Sequence, residues 1–306
     1  MSQDQSVSPP TLSIVIASGA GGEFLFRCLE SVEASAKRLD AEVIVIDRCG
    51  EERRRQIAER HASVKVLAYP GEERPSVPQL RAAGVDEARA DIVAVIEEHC
   101  VAPPDWIETI LAEFEAADAA IGGPILDDDF ERLRDWVVYF SEYHNYLPPW
   151  EPGERYALND AGIAYRRQRL VEHRECLGQS YWTIVLHPLL AQGGGLLRSV
   201  PKMGVRHTGP FDYGYYLRQR YLLSRVWGGT QRDRVSFATR MIHLAAAPIF
   251  PLFLLARIGR RVRSVPRFRR RFVAALPLLV PVVLAYTWGE WLGYLAGPGK
   301  ALQEVE

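Results

Sequence analysis

Four short apolar runs recur through the first hundred residues, and each is followed by a segment with helical spacing. The runs are Leu12 to Ala17, Glu42 to Ile46 (ending on Asp47), Val64 to Ala68 and Ile92 to Ile96. The intervening segments are Phe24 to Leu39, Glu51 to His61, Gln79 to Ala88 and Trp106 to Ala116. The first carries Phe24, Cys28, Leu29, Val32 and Leu39 at helical intervals; the last places Ile107, Ile110, Leu111 and Phe114 on one face. A strand that is apolar on both sides must be covered on both faces. The alternation therefore predicts an α/β fold, a mainly parallel sheet with helices on both faces. Ligands of such sheets bind beyond the carboxyl ends of the strands. Three of those ends carry polar groups: Ser18, Asp47 and the triplet Glu97-Glu98-His99.

The triplet has two explanations. A strand that reaches the surface can end on solvated charge, or two carboxylates and an imidazole can form a cation site. Length and charge do not separate them. With 306 residues the chain is long enough for one large domain or two modest ones, and a net charge of −1 gives no whole-chain argument for nucleic acid. The charge is uneven, however. Eight arginines and no acid lie between Arg257 and Arg271. Such a block contacts phosphate on lipid or nucleic acid, and the apolar segments on either side favour lipid. Four scattered cysteines include no C-x-x-C pair, so reduced thiols in a cytosolic setting are expected. The first residues, MSQDQSVSPP, lack the basic-then-apolar pattern of a signal peptide.

After about residue 120 the rhythm loosens. Aromatic residues cluster from Trp136 to Trp150, and a helix and loop there could cover a site. Asp160 to Leu170 reads as a strand entering a helix, and Val205 to His207 as another short strand. From Ser236 the composition changes. Met241 to Ile258 is almost wholly apolar apart from His243, Pro248 and Pro251; Phe272 to Trp288 is broken by Pro277 and Pro281. Both runs are near the length of a membrane span. Two full spans with a cytoplasmic arginine loop would place the first domain outside. A kinked hairpin that dips into the inner leaflet keeps all charge on one side and is the preferred arrangement.

From Thr11 to about Gly229 the chain resembles the family 2 inverting glycosyltransferases. The resemblance rests on LSIVIAS, on EVIVID ending at Asp47, and on R-x-x-G from Arg81 to Gly84. It continues through A-x-x-D-I-V-A-V-I with its polar triplet and then APPDWI. It implies the GT-A fold and a nucleotide-sugar donor. The tail, with Gly289-Glu290 and Gly293-Tyr294, is similar to those of membrane-associated bacterial members. By the same resemblance the triplet corresponds to a D-x-D element. Glu98 and His99 would then hold Mn2+ or Mg2+ against the diphosphate, with Glu97 on the nucleotide. Oxygen ligands suit both ions, and an imidazole suits manganese better than magnesium. Ser18, Asp47 and Arg81 match nucleotide-binding positions, although the second acid often found after Asp47 is Arg48 here. Asp160 to Arg166 resembles the acceptor-side motif, and Val205-Arg206-His207 a V-x-H element whose histidine is a further metal candidate. Arg218 and Arg220, in a tyrosine-rich stretch, are candidates for gripping the diphosphate.

An inverting transferase needs a base for the acceptor hydroxyl. The resemblance places an acid just before the segment ending Leu186-His187, where this chain has Thr183. Glu175, Asp212, the Asp127-Asp128-Asp129 run and His187 remain as candidates, and none is preferred. The expected organisation is a tail over 1–10, a GT-A-like domain over 11–232 and membrane-associating helices with an arginine-rich connector over 233–306. The expected activity is inverting transfer from a nucleotide sugar to a lipid-linked or saccharide acceptor. It would take place at the cytoplasmic face of the inner membrane, on the membrane surface and without nucleic acid. The alternative is a non-catalytic relative that binds a nucleotide sugar or a partner. A nucleotidyltransferase is disfavoured, because no basic residue follows SGAGG until Arg27.

Overall fold

The computed structural model describes residues 8–71, 74–128, 130–179, 182–209 and 212–304. Most of the expected tail lies outside these. The chain forms two compact units, Met1–Ile125 with Trp150–Arg206, and Leu126–Pro149 with His207–Glu306. The boundary expected near residue 232 follows the change in composition, whereas the division by contacts assigns Tyr213–Arg232 to the second unit.

The first unit contains β1 (Ser13–Ser18), β2 (Glu42–Asp47), β3 (Lys65–Ala68), β4 (Ile92–Ile96), β5 (Cys100–Val101) and β6 (Asp118–Gly122). The strand β7 (Ile125–Leu126) leads out of it, β8 (Gly153–Glu154), β9 (Gly162–Arg166) and β10 (Leu196–Ser199) return, and β11 (Val205–His207) leads out again. Eight strands form one sheet in the order β3-β2-β1-β4-β9-β6-β10-β8; a smaller sheet orders β5-β11-β7. The pairs β1–β2, β1–β4, β2–β3 and β6–β10 are parallel, and β9 runs antiparallel between β4 and β6. The helices are α1 (Glu23–Arg38), α2 (Glu51–Arg60), α3 (Val77–Glu87) and α4 (Trp106–Glu113), with α5 (Leu133–Tyr143) in the second unit. Three more, α6 (Arg167–Glu172), α7 (Arg174–Leu177) and α8 (Trp182–Gln192), complete the first unit.

The central strands are buried as their composition requires. Ile14, Val15, Ile16, Ile44, Val45, Val93 and Val95 are fully inaccessible. Removing each such side chain from water contributes about 1.5–3 kcal/mol before chain entropy is counted. β3 departs from the expectation of burial on both faces. It is an edge strand, and Lys65 and Ala68 are exposed. α3 starts two residues earlier than the spacing predicts. Ser76 and Gln79 close a capping box there, with Ser76 Oγ accepting from Gln79 N–H and Gln79 Oε1 accepting from Ser76 N–H. Sequence reasoning missed β6. Its residues, DAAIG, include neither a β-branched run nor an alternation, and strand geometry is imposed by β9 and β10 on either side. Asp118, at its start, accepts from Arg198 Nη2 at 2.7 Å and from Glu115 N–H at 2.8 Å.

The second unit adds α9 (Tyr213–Arg232), α10 (Phe237–Ala246), α11 (Phe250–Arg263) and α12 (Arg269–Ala296) to α5. The aromatic cluster read as a possible cover is core here. Trp136, Tyr139 and Phe140 of α5 are buried and pack against Phe268, with ring centroids 5.6–5.9 Å apart. α9 and α12 touch backbone to backbone. A Cβ on Gly289 would lie 2.2 Å from the Tyr221 carbonyl oxygen, and one on Gly293 2.4 Å from that of Arg225. The first C-terminal apolar run is split into α10 and α11, bent by 75°, at a break that contains Pro248. The second continues through Pro277 and Pro281 as a single helix.

Candidate active site

The R-x-x-G stretch has a packing reason. Gly84 lies where a Cβ would meet Val15 Cγ1 at 2.3 Å, so α3 closes directly onto β1. Arg81 precedes it by three residues and therefore faces the same way. Its guanidinium is buried and donates to two carboxylates, Glu97 Oε1 at 2.8 Å and Asp160 Oδ2 at 2.9 Å. Asp160 arrives through the register of β4 against β9, which pairs Ile96 with Gly162 and puts Glu97 N–H on the Ala161 carbonyl at 3.1 Å. Burial opposes the Arg81 charge, but Asp160 and Glu97 outweigh it and hold the pKa above its ordinary value.

The other oxygen of Glu97, Oε2, meets His99 Nε2 at 2.9 Å. Burial alone would lower the imidazole pKa; the Glu97 carboxylate reverses the sign and raises it. Glu97, His99 and Cys100 offer ligand atoms that all lie within 4.8 Å of one another. The fit to a divalent cation is geometric. Two adjacent ligands of an octahedral ion, each roughly 2.1 Å from it, stand about 3 Å apart. The Glu97–His99 pair has that separation with a proton between the two atoms, and a cation would take that proton's place. Cys100, absent from the expected set, is fully buried, and burial pushes its thiol well above the ordinary value. Its position beside the triplet was the available signal.

Glu98 faces elsewhere. It was expected beside His99 on the cation, but its carboxylate is buried and accepts three backbone N–H groups. Gly19 and Ala20 donate to Oε1 at 3.0 and 2.8 Å, and Gly21 to Oε2 at 3.2 Å. Ser18 and Asp47 do come together. Ser18 Oγ donates to Asp47 Oδ1 at 2.8 Å, while Gly50 N–H and Arg54 Nη1 reach Oδ2 at 3.1 and 3.2 Å. Asp47 is almost fully buried. Its oxygens are occupied by the chain's own donors, so it shapes the loop above β2 in this structure.

The candidate bases are largely committed. His187 is buried in α8. Its Nδ1 accepts from Leu158 N–H at 3.4 Å, which leaves Nε2 to donate to Tyr165 Oη at 2.9 Å. Burial lowers its pKa to about 4, the signature of a neutral core histidine. Asp127 is paired with Arg267 at 2.6 Å within the second unit; Asp129 lies outside the described residues. Asp212 caps α9 by accepting from Tyr215 N–H at 2.9 Å, and Glu175 is exposed at the start of α7. Thr183 sits half-buried in the first turn of α8. In the second unit Arg220 is ion-paired with Glu142 and lies over the Tyr216 ring, so its charge is met by a carboxylate. His207 is buried there, 5.0 Å from the Tyr143 ring centroid.

The profile of the family described as "Glycosyl transferase family 2" matches residues 13–173, just over half of the 306 residues. The chain belongs to glycosyl transferase family 2. A curated relative, polypeptide N-acetylgalactosaminyltransferase 3 of Drosophila melanogaster, is 26% identical over 164 residues. That match spans 50% of this family 2 chain and only 23% of the relative. Among solved structures, the mannosyltransferase PcManGT from Pyrobaculum calidifontis, in complex with GDP-Man and Mn2+, superposes with a TM-score of 0.54. The identity is 16%, over 97% of this chain and 88% of that one. S. aureus TarS 1-349 with UDP-GlcNAc gives 0.51 at 12% identity, over 94% and 92%. GalNAc-T7 with UDP, GalNAc and Mn2+ gives 0.51 at 18%, over 67% and 45%. At these identities the likeness concerns the fold, and it agrees with the sheet expected from the sequence.

Proposed function

We propose that this family 2 member transfers a sugar from a nucleotide-sugar donor, with Glu97 and His99 holding a divalent cation. The observation that carries this is the Asp160–Arg81–Glu97–His99 chain at the carboxyl edge of the sheet. Mn2+ suits a carboxylate–imidazole pair, and two of the similar structures contain it. When bound, such an ion neutralises the charge that develops on the departing diphosphate. Arg81 fixes the Glu97 carboxylate and adds a second positive charge beside the same position. UDP and GDP are the nucleotides to try, because the sugar nucleotides in the similar structures are built on them.

Calorimetry with UDP and GDP, with and without Mn2+, tests this. One nucleotide should bind in an Mn2+-dependent manner. Glu97→Ala combined with His99→Ala should weaken that binding by more than roughly a hundredfold, since even changes around metal ligands cost 10–100-fold. Nucleotide binding that is indifferent to Mn2+ and to both substitutions rules the site out. A second reading, a binding protein without turnover, is favoured by Thr183 at the expected acid position and by the commitments of His187, Asp127 and Asp212. Mn2+-dependent binding with no transfer to membrane lipid extracts would select it.

We also propose that the acceptor is membrane-confined, lipid-linked or a growing saccharide, attacked with inversion, and that the C-terminal helices tether the enzyme to the cytoplasmic face of the inner membrane. α10 has no buried residue, and Ile242, Ile249, Leu252 and Phe253 around the 75° bend are 60–68% exposed. α12, within the apolar stretch Pro266–Ala296, is long enough to cross a bilayer. Its exposed Val273, Val280, Leu284 and Trp288 recur on one helical face. Among the described residues, Arg267 alone of the eight arginines meets a carboxylate. A bend that enters one leaflet, with arginines at its shoulder, fits this distribution. Flotation should show binding to vesicles containing anionic lipid that weakens at high salt. Leu252→Glu with Phe253→Glu should reduce it more than tenfold, given about 1.5–3 kcal/mol per buried side chain. Equal flotation of the double variant would remove the bend from the contact.

A further inference from the structure

We propose that Glu98 is a positioning residue for the donor nucleotide, acting through the glycine-rich loop after β1; the proposal rests on the nucleotide site described above. Two consecutive carboxylates end β4, and they do separate jobs. Successive residues leaving a strand project to opposite sides. Glu97 turns to Arg81 and His99, and Glu98 turns to the loop.

Three consecutive N–H groups, from Gly19, Ala20 and Gly21, converge on the Glu98 carboxylate. Converging amides of this kind form a concavity that favours an anion. Here the anion is the chain's own, so the loop is locked in place and its amides are not the diphosphate contact. Gly21 has φ +61°, a left-handed conformation in which a Cβ would also come within 2.8 Å of Cys49 Sγ. The locked loop is tied in turn to its neighbours. Ser18, at its start, donates to Asp47. Arg48 Nε donates to the Gly19 carbonyl at 3.1 Å and Arg48 Nη1 to the Pro75 carbonyl at 2.6 Å. Glu98 thereby connects the polar groups at the ends of β1 and β2 to the segment that carries the cation pair.

Removing the Glu98 carboxylate releases three donors at once and leaves Glu97 and His99 intact. Nucleotide affinity should therefore fall while cation affinity does not. The test uses the full chain. UDP and GDP binding is measured by calorimetry with saturating Mn2+, and Mn2+ binding alone by electron paramagnetic resonance. Glu98→Ala should weaken nucleotide binding by roughly tenfold or more, and Glu98→Gln by less, because one acceptor oxygen remains. Mn2+ affinity should stay within about twofold of the wild type in both, the cation ligands being untouched. Gly21→Ala, which perturbs the loop from the other side, should reproduce the nucleotide defect.

Several outcomes overturn the proposal. Wild-type nucleotide affinity in Glu98→Gln is one. A parallel loss of Mn2+ and nucleotide affinity is another, since it would place Glu98 with the cation ligands. A wild-type protein that binds no nucleotide defeats the functional reading instead, so the two failures are distinct. If Glu98→Ala does not fold, the wild type still decides. Amide exchange at Gly19, Ala20 and Gly21 should already be slow in the free wild type, because all three N–H groups are held by Glu98, and fast exchange there would sink the positioning role.

Discussion

Arg81→Met should lower the thermal midpoint by about 6–12 °C and remove Mn2+-dependent nucleotide binding. The side chain of Arg81 is 8% exposed, and those of Glu97 and Asp160 are 15% and 37% exposed. Deleting the cation leaves two carboxylates facing each other without their shared partner. Loss of one member of a buried ion pair costs about 3–5 kcal/mol. The exposure of Asp160 puts this site at the lower end, about 3 kcal/mol, because water screens part of the lost attraction. For a unit of this size each kcal/mol moves the midpoint by about 2–4 °C. Methionine keeps the aliphatic volume, so the effect isolates the charge. Replacing both acids as well, with Glu97→Gln and Asp160→Asn, should recover much of the stability and none of the nucleotide binding. A midpoint within about 2 °C of wild type for Arg81→Met would show the three groups to be hydrated and independent. Calorimetry and thermal denaturation monitored by circular dichroism read the two effects separately.

Gly293→Ala and Gly289→Ala should each destabilise the second unit, although alanine is the better helix former. Propensity alone predicts a gain of about 1 kcal/mol for glycine to alanine inside a helix. The crossing of α9 with α12 predicts the opposite. A Cβ at Gly293 would lie 2.4 Å from the Arg225 carbonyl oxygen and 2.6 Å from the Gly229 nitrogen. At Gly289 it would lie 2.2 Å from the Tyr221 carbonyl oxygen and 2.3 Å from Ser224 Oγ. The Ser224 hydroxyl can rotate away; the backbone atoms cannot move without separating the helices. Overpacking of this kind costs about 1–3 kcal/mol, and more where backbone must shift. The two substitutions share one crossing and should combine non-additively. Circular dichroism melts of purified protein in detergent or with vesicles measure the result. Stabilisation by either substitution would mean that the helices do not approach this closely.

The expected fold was legible wherever a side-chain pattern sufficed. β1, β2 and β4 announce themselves because a doubly covered strand has to be apolar on both sides, and Val, Ile and Leu supply that locally. The candidate site was legible as a place. Strand ends carry ligands in such sheets, and polar residues there stand out against apolar runs. Division of labour within the triplet was not legible. Whether Glu97 or Glu98 meets Arg81 and His99 depends on how the chain leaves β4, and the amides that capture Glu98 lie about eighty residues earlier. Asp47 looked available for the same reason; Ser18, Gly50 and Arg54 reach it only once β1, β2 and the start of α2 are assembled.

The aromatic stretch at α5 shows the limit from another direction. Its composition suits a cover over a site or a packed core equally well, and only Phe268, more than a hundred residues later, decides for the core. β6 was invisible because alanine and glycine have no strand preference of their own. Local sequence therefore determined the alternation of strands and helices, the polar edge of the sheet and the apolar, arginine-studded tail. Tertiary structure decided which carboxylate holds a loop, which holds an arginine and a histidine, and which helices touch through glycine. Hydrogen bonds and close contacts of that kind are made between groups far apart in the chain, so no pattern in a short window contains them.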